Sequence, residues 1–126
     1  MNGVMPPVRA VQQSIQSYGN GVFWISGERH SGSVIVLPKV TISWAVDRYE
    51  DISSGSIQSV PTDETDIEIL LIGCGKRMGI PRDDVRNYLR EFGIISEWMD
   101  TGAACRTFNV LLAEDRPVAA ALIAIE

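Results

Sequence analysis

Two short segments carry the residue types that can do chemistry. Asp100-Thr101-Gly102-Ala103-Ala104-Cys105-Arg106 places a carboxylate, a small-residue turn, a thiol and a guanidinium close together in the chain. Gly73-Cys74-Gly75-Lys76 places a second thiol and an ammonium in a glycine turn, directly after the apolar run Ile67-Glu68-Ile69-Leu70-Leu71-Ile72. The apolar run reads as a buried strand, and the Asp100 segment reads as a strand-to-helix corner. Two such corners side by side form the ligand crevice of open α/β sheets. The candidate crevice therefore comprises Gly73, Cys74, Gly75, Lys76, Asp100, Thr101, Arg106 and Asn109. Within it, Lys76 and Arg106 would hold a carboxylate or phosphate, and Gly73 and Gly75 would permit its approach. Asp100 would orient a donor or act as a base.

Each feature also has a plainer reading. Asp100-Thr101-Gly102 matches the aspartic-protease triplet, but that chemistry needs two carboxylates sharing a proton. Here the triplet opens a helical pattern, so Asp100 reads first as an N-cap. Gly73-Cys74-Gly75-Lys76 lacks the spaced glycines and the following Ser or Thr of a P-loop, and Met78 stands where a dinucleotide fingerprint needs its third glycine. Free backbone N–H groups in such a turn still suit a small anion. Arg106 lies in the second helical turn, where the dipole disfavours a cation. It must reach solvent, pair with Asp100 or Glu97, or help bind an anion. Cys74 and Cys105 sit on neighbouring corners; without a Cys-x-x-Cys arrangement they read as buried structural thiols. The single histidine, His30, is expected in a hairpin turn. One histidine supports neither a Ser-His-Asp set nor zinc spacing. No catalytic residue, metal or cofactor is expected. Trp24, Trp44 and Trp98 read as core or rim residues, and Trp44 or Trp98 would mark an interface if exposed.

The elements that must position these residues follow from periodicity. Ile15 to Tyr18, Val22 to Ile25, Val34 to Leu37 and Val40 to Trp44 read as short strands, with Gly19-Asn20-Gly21 and the stretch from Gly27 to Gly32 as turns. Together they predict an antiparallel meander. The polar stretch from Ala45 to Asp66 is expected to hold one short helical turn, near Ser56 to Ser59. Beyond it the character changes to α/β. Pro81 suits a first helical position, with Asp83 and Asp84 favouring the dipole. Val85, Tyr88, Leu89 and Phe92 give that helix its apolar stripe, and Gly93 ends it. Ile94 to Met99 reads as a strand. Asp100 or Thr101 caps a second helix whose stripe is Ala104, Phe108, Leu111 and Leu112, with Arg106 and Asn109 on the other side. Val118 to Ile125 reads as the closing strand. The expected fold is α/β in three layers: a central mixed β-sheet flanked by helices, with an additional antiparallel β layer from the N-terminal half. Residues 1–13 read as a flexible lead and 14–126 as a single domain.

Composition narrows the function classes. The 126 residues are 45% hydrophobic with a net charge of −5, and the pI near 4.8 argues against nucleic acid, which needs a basic face. The longest apolar run, Val118 to Ile125, is too short to span a bilayer core, which takes ~20 helical residues. Met1 to Gln13 lacks the apolar centre of a secretory signal. A bacterial cytoplasmic location is the expectation, and two cysteines fit a reducing compartment.

Four segments together resemble one family: Ser17-Tyr18-Gly19-x-Gly21-x-Phe23, Gly32-Ser33-Val34-x-Val36-x-Pro38, Ile69-Leu70-Leu71-Ile72-Gly73-x-Gly75 and the long run from Met99 to Leu111. It is a family of small bacterial and archaeal domains of unknown function, related to the mitochondrial NADH:ubiquinone oxidoreductase (complex I) assembly factor 3 proteins. The resemblance implies the same three-layer fold, and a family with no established enzymatic activity. Its eukaryotic members assist assembly of a respiratory complex at a membrane without spanning it. The leading expectation is thus a non-catalytic protein-interaction domain with a protein partner, in peripheral contact with a membrane complex. The alternative is a small-anion or metabolite-binding protein, enzymatic or not, using the crevice between residues 73–77 and 98–106.

Overall fold

The computed structural model describes residues 12–62 and 66–126. Eight strands and three helices are found there: β1 (Ile15–Gly19), β2 (Val22–Ile25), β3 (Glu28–Ser31), β4 (Val34–Val36), β5 (Thr41–Ser43), α1 (Ser54–Ile57), β6 (Ile69–Gly73), α2 (Asp83–Arg90), β7 (Ile95–Met99), α3 (Thr101–Ala113) and β8 (Val118–Leu122). A 3-10 turn covers Tyr49–Asp51. Two sheets form, one of order β1-β2-β3 and one of order β5-β4-β8-β6-β7. In the larger sheet β4 runs antiparallel to β5 and β8, while β6 runs parallel to both β7 and β8.

The larger sheet is the middle layer. Successive side chains on a strand face opposite sides, and the core divides accordingly. Ile35, Leu70, Ile72, Ala119 and Ala121 join one cluster with Val85 and Leu89 of α2 and Ile57 of α1. Val34, Val36, Leu71, Val118, Ala120 and Leu122 join a second with Phe108 and Leu112 of α3 and Phe23 and Ile25 of β2. The layers are therefore α1 and α2, the mixed sheet, and α3 with the small antiparallel sheet.

The β half differs from the expected meander in two ways. His30 is not in a turn: residues 28–31 form β3, with His30 opposite Phe23. The strands from Val34 and Val40 leave the meander for the middle layer, where β4 pairs with β8. The physical reason lies in burial. Val34, Ile35 and Val36 are all buried, whereas β3 has no buried residue and suits a half-solvated ribbon. For the same reason Val118–Leu122, buried throughout, lies between β4 and β6 rather than closing an edge.

The helix boundaries also moved. Pro81 precedes α2; Arg82 takes the N-cap position in an extended conformation, and the helix begins at Asp83. It ends at Arg90, so Phe92 falls off the helical period and is exposed against Tyr88. Gly93 follows at φ 75, a left-handed conformation that favours glycine. The polar middle buries more than its composition suggests: Val46, Ile52, Ile57 and Val60 all enter the α2-side core. The expected lead lies largely outside the described residues. Gln13 is described, and its amide donates to the Leu37 carbonyl and the Thr41 hydroxyl.

Ala120 shows how tightly this sheet is filled. It is fully buried beneath α3, in register with Val36 on one side and Leu71 on the other. Ala120→Leu is expected to overpack the site and cost about 1–3 kcal/mol, read as a lowered urea midpoint. Val110→Ala, at an exposed position of α3, should shift the midpoint by less than half as much.

Candidate functional site

The two corners do meet, and Thr101 joins them. Asp100 adopts an extended N-cap conformation, and its carboxylate accepts the Ala103 N–H at 2.8 Å. That leaves Thr101 at the first helical position, wholly buried. Its hydroxyl donates to the Ile123 carbonyl at 2.7 Å and accepts the Gly75 N–H at 3.0 Å. Its backbone N–H donates to the Gly75 carbonyl at 2.8 Å, and the Cys74 N–H donates to the Met99 carbonyl at 2.8 Å. The Ile123 N–H donates to the Gly73 carbonyl at 3.0 Å. The ends of β6, β7 and β8 and the start of α3 are thus tied through one hydroxyl and its neighbouring amides. Gly73 permits the approach: a Cβ there would stand 3.0 Å from the Thr101 Cα and from the Leu122 side chain.

This arrangement decides what the expected crevice offers. Gly73, Cys74, Gly75 and Thr101 are buried, Asp100 and Asn109 are half-buried, and only Lys76 and Arg106 are exposed. The Cys74 and Gly75 N–H groups, which a bound anion would use, are spent on Met99 and Thr101. Arg106 donates through Nη1 to the Tyr18 hydroxyl at 3.4 Å, and no ion pair joins it to Asp100 or Glu97 among the described residues. Tyr18 lies over Gly102, where any Cβ would overlap its ring hydroxyl. Asn109 faces β1 rather than the crevice. Its side-chain oxygen accepts the Ile15 N–H and its amide donates to the Ile15 carbonyl, both at 2.9 Å. One side chain thereby takes the place of a neighbouring strand and fastens the small sheet to α3.

The thiols do not pair. Cys74 belongs to the α2-side core and Cys105 to the α3-side core, so they point to opposite faces of the sheet, and both are free. Burial pushes the Cys105 thiol up to about 12, with the Asp100 carboxylate adding to the shift and Arg106 opposing it. Burial likewise raises Cys74. Neither supplies a thiolate at neutral pH. His30 Nε2 is buried without a hydrogen-bond partner in the structure. Trp44 and Trp98 are 4% and 9% exposed, so the exposed tryptophan is Trp24.

The residues that do reach solvent were not anticipated. The loop from β6 to α2 carries Met78 and Ile80, 71% and 79% exposed, close to the exposed Lys76 and Arg77. Its backbone is pinned by Tyr49. The Tyr49 hydroxyl donates to the Ile80 carbonyl, the ring fills the space a Cβ on Gly79 would need, and the Arg82 guanidinium lies over the ring at 5.7 Å from its centroid. In sequence, the one cue was an aromatic residue inside an otherwise polar stretch.

Comparison with known proteins places this geometry in context. Residues 15–123 match the family model described as "Protein of unknown function (DUF498/DUF598)". A Xenopus tropicalis protein named NADH dehydrogenase [ubiquinone] 1 alpha subcomplex assembly factor 3 is 37% identical over 109 residues, covering 86% of this chain and 60% of the relative. The chain thus spans about three-fifths of the length of that relative. A Bartonella henselae crystal structure described as an outer membrane protein superposes with a TM-score of 0.83 at 42% identity, covering 91% of this chain and 97% of its own. The solution structure of a Bordetella pertussis Mth938-like domain gives 0.80 at 28% identity, covering 98% and 92%.

Two outcomes test the site as described. Thr101→Val keeps the shape but orphans the buried Gly75 N–H and Ile123 carbonyl, and should cost about 2–4 kcal/mol of stability; Thr101→Ser, which keeps the hydroxyl, should cost clearly less. Equal losses for the two would show that the hydroxyl is not the tie. Both thiols should resist a thiol reagent in the native protein and react fully in urea. Because the folded thiol of Cys105 holds its proton above the ordinary value of 9.0, its contribution to stability is complete below that pH and is lost as pH climbs toward about 12. Cys105→Ala should therefore flatten the alkaline fall in urea midpoint.

Proposed function

The chain belongs to the DUF498/DUF598 family of proteins of unknown function, and from that premise we propose that it is a non-catalytic protein-binding module that assists assembly of a membrane-bound respiratory complex. The observation that carries this reading is the 37% identity, over 109 residues, to a relative named as an assembly factor of NADH dehydrogenase. The geometry supports it. The Gly75 amide and the Asp100, Thr101 and Asn109 side chains of the expected crevice are engaged in holding the fold together, while apolar side chains stand out from a fixed loop. The module works from the cytoplasm as a peripheral contact with its complex. No helix among the described residues is long and apolar enough to cross a membrane.

In this reading Met78 and Ile80 dock into an apolar recess of the partner, with Lys76 and Arg77 at the rim. Central apolar anchors ringed by polar groups carry most of the energy at such contacts. Because Tyr49 fixes the loop beforehand, little conformational freedom is lost on docking.

The test is genetic and biochemical together. A strain lacking the chain should accumulate partial assemblies of its respiratory NADH dehydrogenase on native gels. Re-expressed wild type should restore the complex. Met78→Asp combined with Ile80→Asp should not, although the variant stays folded because both side chains are already in solvent. A fully assembled complex in the deletion strain would sink the proposal.

A further inference from the structure

Away from the Thr101 tie, the five-stranded sheet has one long edge with no neighbouring strand among the described residues. Among the described residues β7 is an edge strand of five residues, whereas the opposite edge, β5, has three. In the parallel pairing with β6, the Ile95 N–H donates to the Glu68 carbonyl and the Met99 carbonyl accepts the Cys74 N–H. Hydrogen-bonding groups alternate sides along a strand. Ile95, Glu97 and Met99 therefore turn their backbone groups toward β6, and Ser96 and Trp98 turn theirs outward. A row of outward N–H and C=O groups is a template for another strand.

Beside this edge runs a groove of about 340 Å³, with Arg86 and Arg90 on its α2 wall and Gly93, Ile95, Ser96 and Glu97 on the other, so its lining carries two cations and one carboxylate. The two arginines stand one helical turn apart. Arg86 has an exposed contact with Asp83 at 3.8 Å, of little energetic worth, and Arg90 makes no ion pair among the described residues. Two guanidinium groups lining an open edge, on a chain of net charge −5, select acidic side chains. Ile95, 65% exposed, offers an apolar contact to the alternate residues of an incoming strand. Pairing with a second copy about the middle of β7 would set Glu97 against its own counterpart, and like charges directly opposite are destabilising.

We propose that the β7 edge and the Arg86–Arg90 flank of α2 form a docking groove for an extended acidic segment of a partner protein, which adds to the central sheet as a sixth strand. This takes its occupant from the partner-binding reading above but uses a surface separate from Met78 and Ile80, so each can fail alone.

The probe is a short fluorescent peptide of alternating Glu and Val, beside the same peptide with Lys for Glu. Wild-type protein should bind the Glu peptide, and the Lys peptide at least about tenfold more weakly. Arg86→Glu combined with Arg90→Glu should invert that preference. Amide exchange at Ser96 and Trp98 should slow on saturation with the Glu peptide. Ser96→Pro removes one outward N–H without touching the β6 pairing, and proline is tolerated on an edge; it also removes the hydroxyl that accepts the Trp98 indole N–H, a loss that Ser96→Ala reproduces alone. The proline variant should abolish binding while its circular dichroism spectrum stays native, and the alanine variant should bind as wild type. Peptide binding that leaves Ser96 and Trp98 exchange unchanged would mean charge attraction without strand addition, and would overturn the proposal. So would a dimer lost in Ser96→Pro, which would assign the edge to a second copy. So would absent peptide binding alongside arginine-dependent binding to phosphatidylglycerol vesicles.

Discussion

The Thr101 hydroxyl is the point on which the rest of the architecture depends. Three parallel strands end beside one helix start, and each end leaves backbone groups that the sheet no longer serves. In a buried position such groups cost free energy unless they are paired. One hydroxyl, accepting from Gly75 and donating to Ile123, meets that demand for two chain segments while sitting on a third. The same tie takes up the Gly75 amide, and the Met99 carbonyl takes up that of Cys74, so two amides that an open α/β crevice can present are engaged within the fold.

Other ties of this kind lie nearer the outside of the molecule. Asn109 helps fasten the small sheet to α3 by engaging both polar groups of Ile15. Tyr18 covers Gly102 and meets Arg106. Tyr49 holds the 74–82 loop by ring packing, a hydrogen bond and a guanidinium contact. In each case a polar or aromatic side chain fixes backbone in place so that other groups stay exposed.

How far the sequence could be read depended on how local each signal was. The Asp100 cap needs only the bond to Ala103, three residues away, and it was legible. The α3 stripe of Ala104, Phe108 and Leu112 obeys the helical period and proved buried. The family resemblance, carried by the run from Met99 to Leu111, led to the right layers. The rest was non-local. Nothing in the spacing of Val34 to Val36 says that these residues pair with Ala120 to Leu122 rather than with the strand just before them. Nothing near Asn109 says that its amide meets Ile15, 94 residues away. The exposed loop was missed because its anchor, Tyr49, lies 31 residues upstream in a stretch that reads as polar.

The position of β8 carries a consequence for synthesis. It is the last strand in chain order and yet the middle strand of the five, with β4 on one side and β6 on the other. As the chain leaves the ribosome, β4 and β6 emerge long before the strand that joins them. Until Val118 to Leu122 arrives, each has an unsatisfied edge of buried-type residues facing water. Such edges invite association with neighbouring chains. The centre of this sheet can therefore form only after the last-made of its five strands has been synthesised.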